Sequence, residues 1–182
     1  MYIFLADGFE EIEGLTVVDL LRRADIDIAM VSISGKLEVT GGHDIVVKAD
    51  LLFEKAQYSD ADMLVLPGGK KGTDNLMAHE GLDILLRDFA SKGKMLAAIC
   101  AAPSVLGTKG LLKDKKAICY PGFEKLLTGA TVTDKAVVAD GNIITSKGMG
   151  TAIDFSLEII KALKNEEEAA KIASSIQYAH YK

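Results

Sequence analysis

Short apolar runs alternate with amphipathic stretches along the chain. Residues 2–6, 26–33, 63–66, 95–99, 117–119 and 143–145 are apolar and bounded by Gly, Asp or Lys, as buried strands are. Helical periodicity fills most of the intervals. Near-continuous apolar strands separated by helices predict a mostly parallel sheet covered on both faces, an α/β doubly wound sandwich. One stretch departs from that pattern: residues 37–40, then Gly41-Gly42, then residues 45–48 read as an antiparallel hairpin at a sheet edge. Residues 11–24, 151–164 and 166–178 are expected to be helices, the last two meeting at Asn165 in a cap position. No linker, repeat or low-complexity segment interrupts the pattern, so residues 1–182 are read as a single domain.

Composition narrows the function classes. A chain of 182 residues can bury roughly 70% of its unfolded surface around one core. No apolar run approaches the ~18 residues that span a bilayer, and the N-terminus opens on a strand pattern, so no membrane partner and a cytoplasmic location are expected. The formal charge of -5, without a basic stripe, argues against nucleic acid as the main partner. Two cysteines do not make a disulfide framework, and Cys and His are too scattered for a zinc site, so no metal is implied. Gly68-Gly-Lys-Lys-Gly72 does not satisfy the phosphate-loop pattern, and no cofactor is implied.

The strongest chemical signal is Met95-Leu-Ala-Ala-Ile-Cys100-Ala-Ala-Pro103, where a buried strand meets small residues and Pro103 opens a helix. This is the layout of a nucleophile elbow: small neighbours allow a tight strand-to-helix turn, and a helix N-terminus offers unpaired N–H groups. A thiol there is expected to be acidified toward the reactive thiolate. The alternative is a buried core cysteine. In the helix after Asp7-Gly8-Phe9, Glu13 is the one carboxylate within an arc of Leu15, Val17, Val18, Leu20, Leu21 and Ala24. Burial there would raise its pKa and fit it for proton transfer beside a thiol, unless it merely stabilises the helix end. Met63-Leu-Val-Leu-Pro-Gly-Gly69 ends a strand in residues without side-chain hindrance. The Gly69 and Ala101 N–H groups are therefore candidates for an oxyanion hole at the ligand-binding edge of the sheet, a plain turn being the alternative.

Other candidates are weaker. Asp19 and Arg23, four residues apart, read as an ion pair rather than a catalytic pair. His43, His79 and His180 give no Cys-His-Asp spacing, and each reads as a surface residue. Cys119 precedes Tyr120-Pro121 at the end of a predicted strand, where a resolving thiol beside Cys100 is possible.

Five segments in order and spacing then resemble the ThiJ/PfpI superfamily, in the branch of the human Parkinson-linked protein deglycase and its bacterial homologues. They are Leu5-Ala-Asp-Gly-Phe-Glu-Glu-Ile-Glu13, Val18-Asp-Leu-Leu-Arg-Arg-Ala24, Val65-Leu-Pro-Gly-Gly69, Ala97-Ala-Ile-Cys-Ala-Ala-Pro103 and Thr145-Ser-Lys-Gly-Met-Gly-Thr151. The resemblance implies a flavodoxin-like fold and a homodimer built on the 11–24 helix and the 37–48 hairpin, with His43 directed toward the partner's pocket. By the same resemblance Cys100 is the nucleophilic, oxidisable cysteine, Glu13 the carboxylic acid beside it, and Gly69 and Ala101 the backbone donors. The implied activity is a cofactor-independent glyoxalase or deglycase on methylglyoxal, glyoxal or early glycation adducts. The alternative is an oxidative-stress sensor or redox-gated chaperone using the same cysteine. Ala101 stands where the protease-like branch has a histidine, which disfavours peptidase activity. Tyr120 and His43 stand where the human protein has His and Arg. The thiazole-biosynthesis label carried by bacterial relatives does not follow from these residues.

Overall fold

The computed structural model describes residues 1–181. In chain order, β1 (Tyr2–Leu5), α1 (Glu11–Arg23) and β2 (Ala29–Ser32) are followed by the hairpin β3 (Glu38–Thr40) and β4 (Val46–Lys48) and by β5 (Leu51–Leu52). Next come β6 (Met63–Leu66), α2 (Lys70–Ala78), α3 (Glu80–Ser91), β7 (Met95–Ile99) and α4 (Pro103–Thr108). The remainder is β8 (Lys116–Ala117), β9 (Thr131–Val132), β10 (Val137–Asp140), β11 (Ile143–Ser146), α5 (Ala152–Leu163) and α6 (Glu166–Ser175).

Seven strands form the central sheet in the order β10-β11-β7-β6-β1-β2-β5. All neighbours are parallel except the edge pair β10–β11. The two-residue alternation of side chains divides the core. Ile3, Leu5, Met63, Val65, Ala97 and Ile99 pack against α1, α5 and α6 on one face. Phe4, Leu64, Leu66, Leu96 and Ala98 face α2, α3 and α4 on the other. A strand buried on both sides has no polar register, which is why these segments read as unbroken apolar runs. The fold is the flavodoxin-like α/β sandwich expected from the sequence.

The hairpin at residues 37–48 is antiparallel as expected, but it forms its own two-stranded sheet beside the N-terminus of α1. The antiparallel strand at the edge of the main sheet is β10 instead. A second correction concerns residues 117–119. They contribute only Ala117 to β8, which pairs with β9 outside the main sheet. Asn165 caps α6 by accepting from the Glu168 N–H at 2.8 Å, and Asp19 pairs with Arg23 at 2.7 Å on an exposed face. Among the described residues no helix is long and apolar enough to cross a membrane.

Candidate active site

The carboxyl ends of β1, β6 and β7 meet where the sheet turns into α1, α2 and α4. At the end of β7, Cys100 holds φ at +65°, in the left-handed region that non-glycine residues seldom occupy. Three backbone hydrogen bonds hold this strained turn: Cys100 N–H to Ser146 O at 2.9 Å, Tyr120 N–H to Cys100 O at 2.7 Å, and Ala102 N–H to Ile99 O at 3.1 Å. Strain of this kind persists only where the surroundings over-determine it. The effect is to lift Cys100 out of the strand, partly exposed, while Ile99, Ala101 and Ala102 stay buried.

Glu13 enters from α1 and is 1% exposed. Its Oε2 accepts from the Gly68 N–H at 2.9 Å. Its Oε1 has no partner of regular hydrogen-bond geometry, yet the carboxyl stands close enough to the Cys100 thiol for each to shift the other's pKa. Gly68 is wedged between the two groups. A methyl group at Gly68 would lie 2.5 Å from Glu13 Oε2 and 2.6 Å from Cys100 Cβ. Gly69, at φ +85°, is equally confined, since a methyl group there would lie 2.5 Å from Glu10 N. The Pro-Gly-Gly end of β6 thus brings a backbone donor to the carboxylate and leaves room for the thiol beside it.

Burial raises the Glu13 carboxyl to about 7, against the lowering effects of the Cys100 and Gly68 hydrogen bonds. The expectation of an acidified thiol is corrected. Burial, then the charge and hydrogen bond of Glu13, push Cys100 up to about 12, with the Gly69 and Ala101 N–H groups pulling the other way. When the proton sits on Glu13, the effect of its charge disappears and the two N–H groups act against burial alone. The same Gly69 and Ala101 groups foreseen as oxyanion donors therefore point at the sulfur.

Cys100, Glu13, Gly69 and Ala101 all line one cavity of about 740 Å³. Its other walls include Glu10, Lys70, Tyr120, Phe123, Lys147 and Met149, and the sequence pattern alone singled out only Tyr120 of these six. They come from separate loops, and nothing in local periodicity joins them. Cys119 does not line the cavity. It is 1% exposed and packs in the core on the opposite face of the sheet from Cys100, so a resolving role finds no support in this geometry. His43 is bound within its own chain, with Nδ1 2.8 Å from Glu11 Oε2. His79 caps α3 by accepting from the Leu82 N–H at 3.0 Å.

A sequence profile described as the DJ-1/PfpI family matches residues 1–162. Among curated proteins, Drosophila melanogaster protein dj-1beta is 36% identical over 180 residues, covering 98% of this chain and 96% of its own length. A Pyrococcus abyssi protein named a deglycase is 32% identical over 164 residues, or 89% of this chain and 98% of that one. The chain spans only 39% and 44% of the length of the Arabidopsis thaliana DJ-1 homologs B and A, to which it is 34% and 39% identical. Among solved structures, oxidized Toxoplasma gondii DJ-1 superposes with a TM-score of 0.94 at 34% identity, covering 98% of each chain. The chain belongs to the DJ-1/PfpI family.

Proposed function

We propose that this chain is a cytoplasmic glyoxalase or deglycase that needs no cofactor or metal and acts on methylglyoxal, glyoxal or early glycation adducts. The observation that carries the reading is the pairing of a partly exposed Cys100, on a strained turn in an open cavity, with a buried Glu13 carboxyl titrating near neutrality. In the reactive form the proton sits on Glu13 and Cys100 is the thiolate. The sulfur adds to the aldehyde carbon, forming a C–S bond. The displaced carbonyl electron pair gathers on oxygen, where the Gly69 and Ala101 N–H groups stabilise it, and Glu13 gives up its proton to that oxygen to complete the hemithioacetal, leaving itself as the carboxylate. Glu13 then accepts the proton from that carbon and returns it to the neighbouring carbon through an enediol, leaving a thioester of the 2-hydroxy acid. Hydrolysis breaks the C–S bond, releasing lactate or glycolate and restoring the thiol. No external oxidant or reductant enters: one carbon is oxidised as its neighbour is reduced.

The test is D-lactate formation from methylglyoxal by metal-free protein. Turnover well above that of free thiols, lost in Cys100→Ser, supports the reading; turnover equal to free thiols ends it.

A second reading has its own support. The Toxoplasma relative is described as oxidized, and a protonated Glu13 can donate a hydrogen bond to a sulfinate at Cys100. Peroxide titration followed by mass spectrometry would separate a sensor, which gains two oxygens at Cys100 with no turnover, from an enzyme. We also propose a homodimer, because Ile12 on α1 and Ile45 and Val46 beside the hairpin turn are apolar and more than half exposed. Light scattering should give twice the chain mass, and a monomer mass at micromolar concentration would overturn it.

A further inference from the structure

Lys70 is the first residue of α2, immediately after Gly69, whose N–H points at the Cys100 sulfur. It lines the Cys100 cavity and is an exposed residue. The three other charged residues of the cavity each have a counterpart. Lys147 Nζ is 2.7 Å from Asp134 Oδ1. Glu10 Oε2 lies 3.8 Å from His43 Nδ1. Glu13 shares its proton with the Cys100 pair. Of the charged residues lining the cavity, Lys70 alone has no such counterpart among the described residues. An unpaired lysine in the wall of the reactive cavity attracts whichever part of a ligand is anionic.

From this charge balance we infer that Lys70 is a substrate-binding residue and that the Cys100 site selects aldehydes bearing an anionic oxygen group, a carboxylate or a phosphate. The cavity is far larger than a three-carbon dicarbonyl requires, which leaves space for such a group beyond the reacting carbon. With the carbonyl oxygen at the Gly69 and Ala101 N–H groups, Lys70, the next residue along the chain and part of the same cavity wall, borders the space left for the rest of the substrate. The inference deepens the reading of the site as an aldehyde-acting enzyme and rests on it for the word substrate, but its test needs only a reactive Cys100.

The test compares alkylation of Cys100 by iodoacetate and by iodoacetamide in the full chain. In both reactions the thiolate displaces iodide and forms a C–S bond, so the ratio of the two rates cancels any change in thiol ionisation and reports the charge preference of the cavity. The ratio should fall at least about fivefold in Lys70→Gln and be retained in Lys70→Arg. An unchanged ratio in Lys70→Gln overturns the proposal. A second arm measures protection of Cys100 by glyoxylate, by glyceraldehyde 3-phosphate and by uncharged glyceraldehyde. Protection by one of the anions that weakens in Lys70→Gln supports the proposal and identifies carboxylate or phosphate as the recognised group. Protection of wild type by uncharged glyceraldehyde as strong as by either anion, or anion protection unchanged in Lys70→Gln, refutes it. Failure here leaves D-lactate formation from methylglyoxal, a neutral aldehyde, unaffected, so the two readings fail separately.

Discussion

Replacing Glu13 by Gln removes a charge from beside Cys100 while keeping the side-chain shape, and the consequence can be worked out as a pH profile. Two charges about 4 Å apart at an effective dielectric of about 20 interact by ~4 kcal/mol, or about 3 pH units. The Cys100 thiol, at about 12 beside ionised Glu13, would therefore titrate near ~9 with Glu13 protonated or replaced by Gln. With Glu13 itself at about 7, the form with its proton on Glu13 and a thiolate on Cys100 makes up ~1% of the pair, a fraction constant between pH 7 and 12. Wild-type alkylation by iodoacetamide should then rise with pH up to about 7 and level off. In Glu13→Gln the rate should match wild type at pH 6, exceed it about tenfold at pH 8, and keep rising toward pH 9. Turnover of methylglyoxal should meanwhile fall by roughly 10²–10⁴, since Gln cannot carry a proton between carbons. Stopped alkylation and mass spectrometry across pH 5–10 would measure the profile. Superimposed wild-type and variant curves would show that Glu13 does not control the thiol.

Three further predictions use the same geometry. Because the Glu13 carboxyl is raised from its ordinary 4.5 to about 7 in the folded chain, its contribution is full below pH 4.5 and lost as pH rises to 7. Urea titrations should show wild type losing up to about 3 kcal/mol relative to Glu13→Gln across that window, and parallel curves would contradict the burial argument. Gly68→Ala drives a methyl group into Glu13 and Cys100 and should cost ~1–3 kcal/mol and most of the activity, as read by thermal unfolding and lactate assay. In native protein at pH 8, iodoacetamide should modify Cys100 long before Cys119, because Cys119 is buried and its thiol is itself raised to about 11; first labelling at Cys119 would defeat the assignment.

The parts of the fold written in local pattern were legible in the sequence. Residues 63–66 and 95–99 are strands with the bounds their apolar runs indicate, and Pro103 does open a helix after a tight turn at Cys100. Glu13 could be found because a carboxylate within an apolar arc is a local anomaly. What was missed depends on partners remote in sequence. Strands β8 and β9 have two residues each, and β9 is exposed, so no periodicity can form. Gly68 looked like half of a turn, yet its N–H holds Glu13 across 55 residues of sequence and its missing side chain leaves room for Cys100 beside that carboxyl. Glu11, 2% exposed at the start of α1, is held by the His43 N–H and Nδ1 across 32 residues.

The error about the thiol is the most informative of these. Position at a helix end argued for an acidic Cys100, and the Gly69 and Ala101 N–H groups do pull in that direction. The opposing effects of burial and the Glu13 charge are larger, and both arise from tertiary packing that brings α1 against the ends of β6 and β7. Two groups that share one proton in a buried site cannot both be ionised cheaply. In the proposed reaction, Cys100 is therefore held in reserve as a thiol and becomes the nucleophile only when Glu13 takes the proton, which is the state from which Glu13 would next act as an acid. Storage of the thiolate and delivery of the proton are consequences of one carboxyl placement, so a change that acidified Cys100 permanently, as Glu13→Gln should, would raise its reactivity toward alkylating agents while lowering its catalytic output.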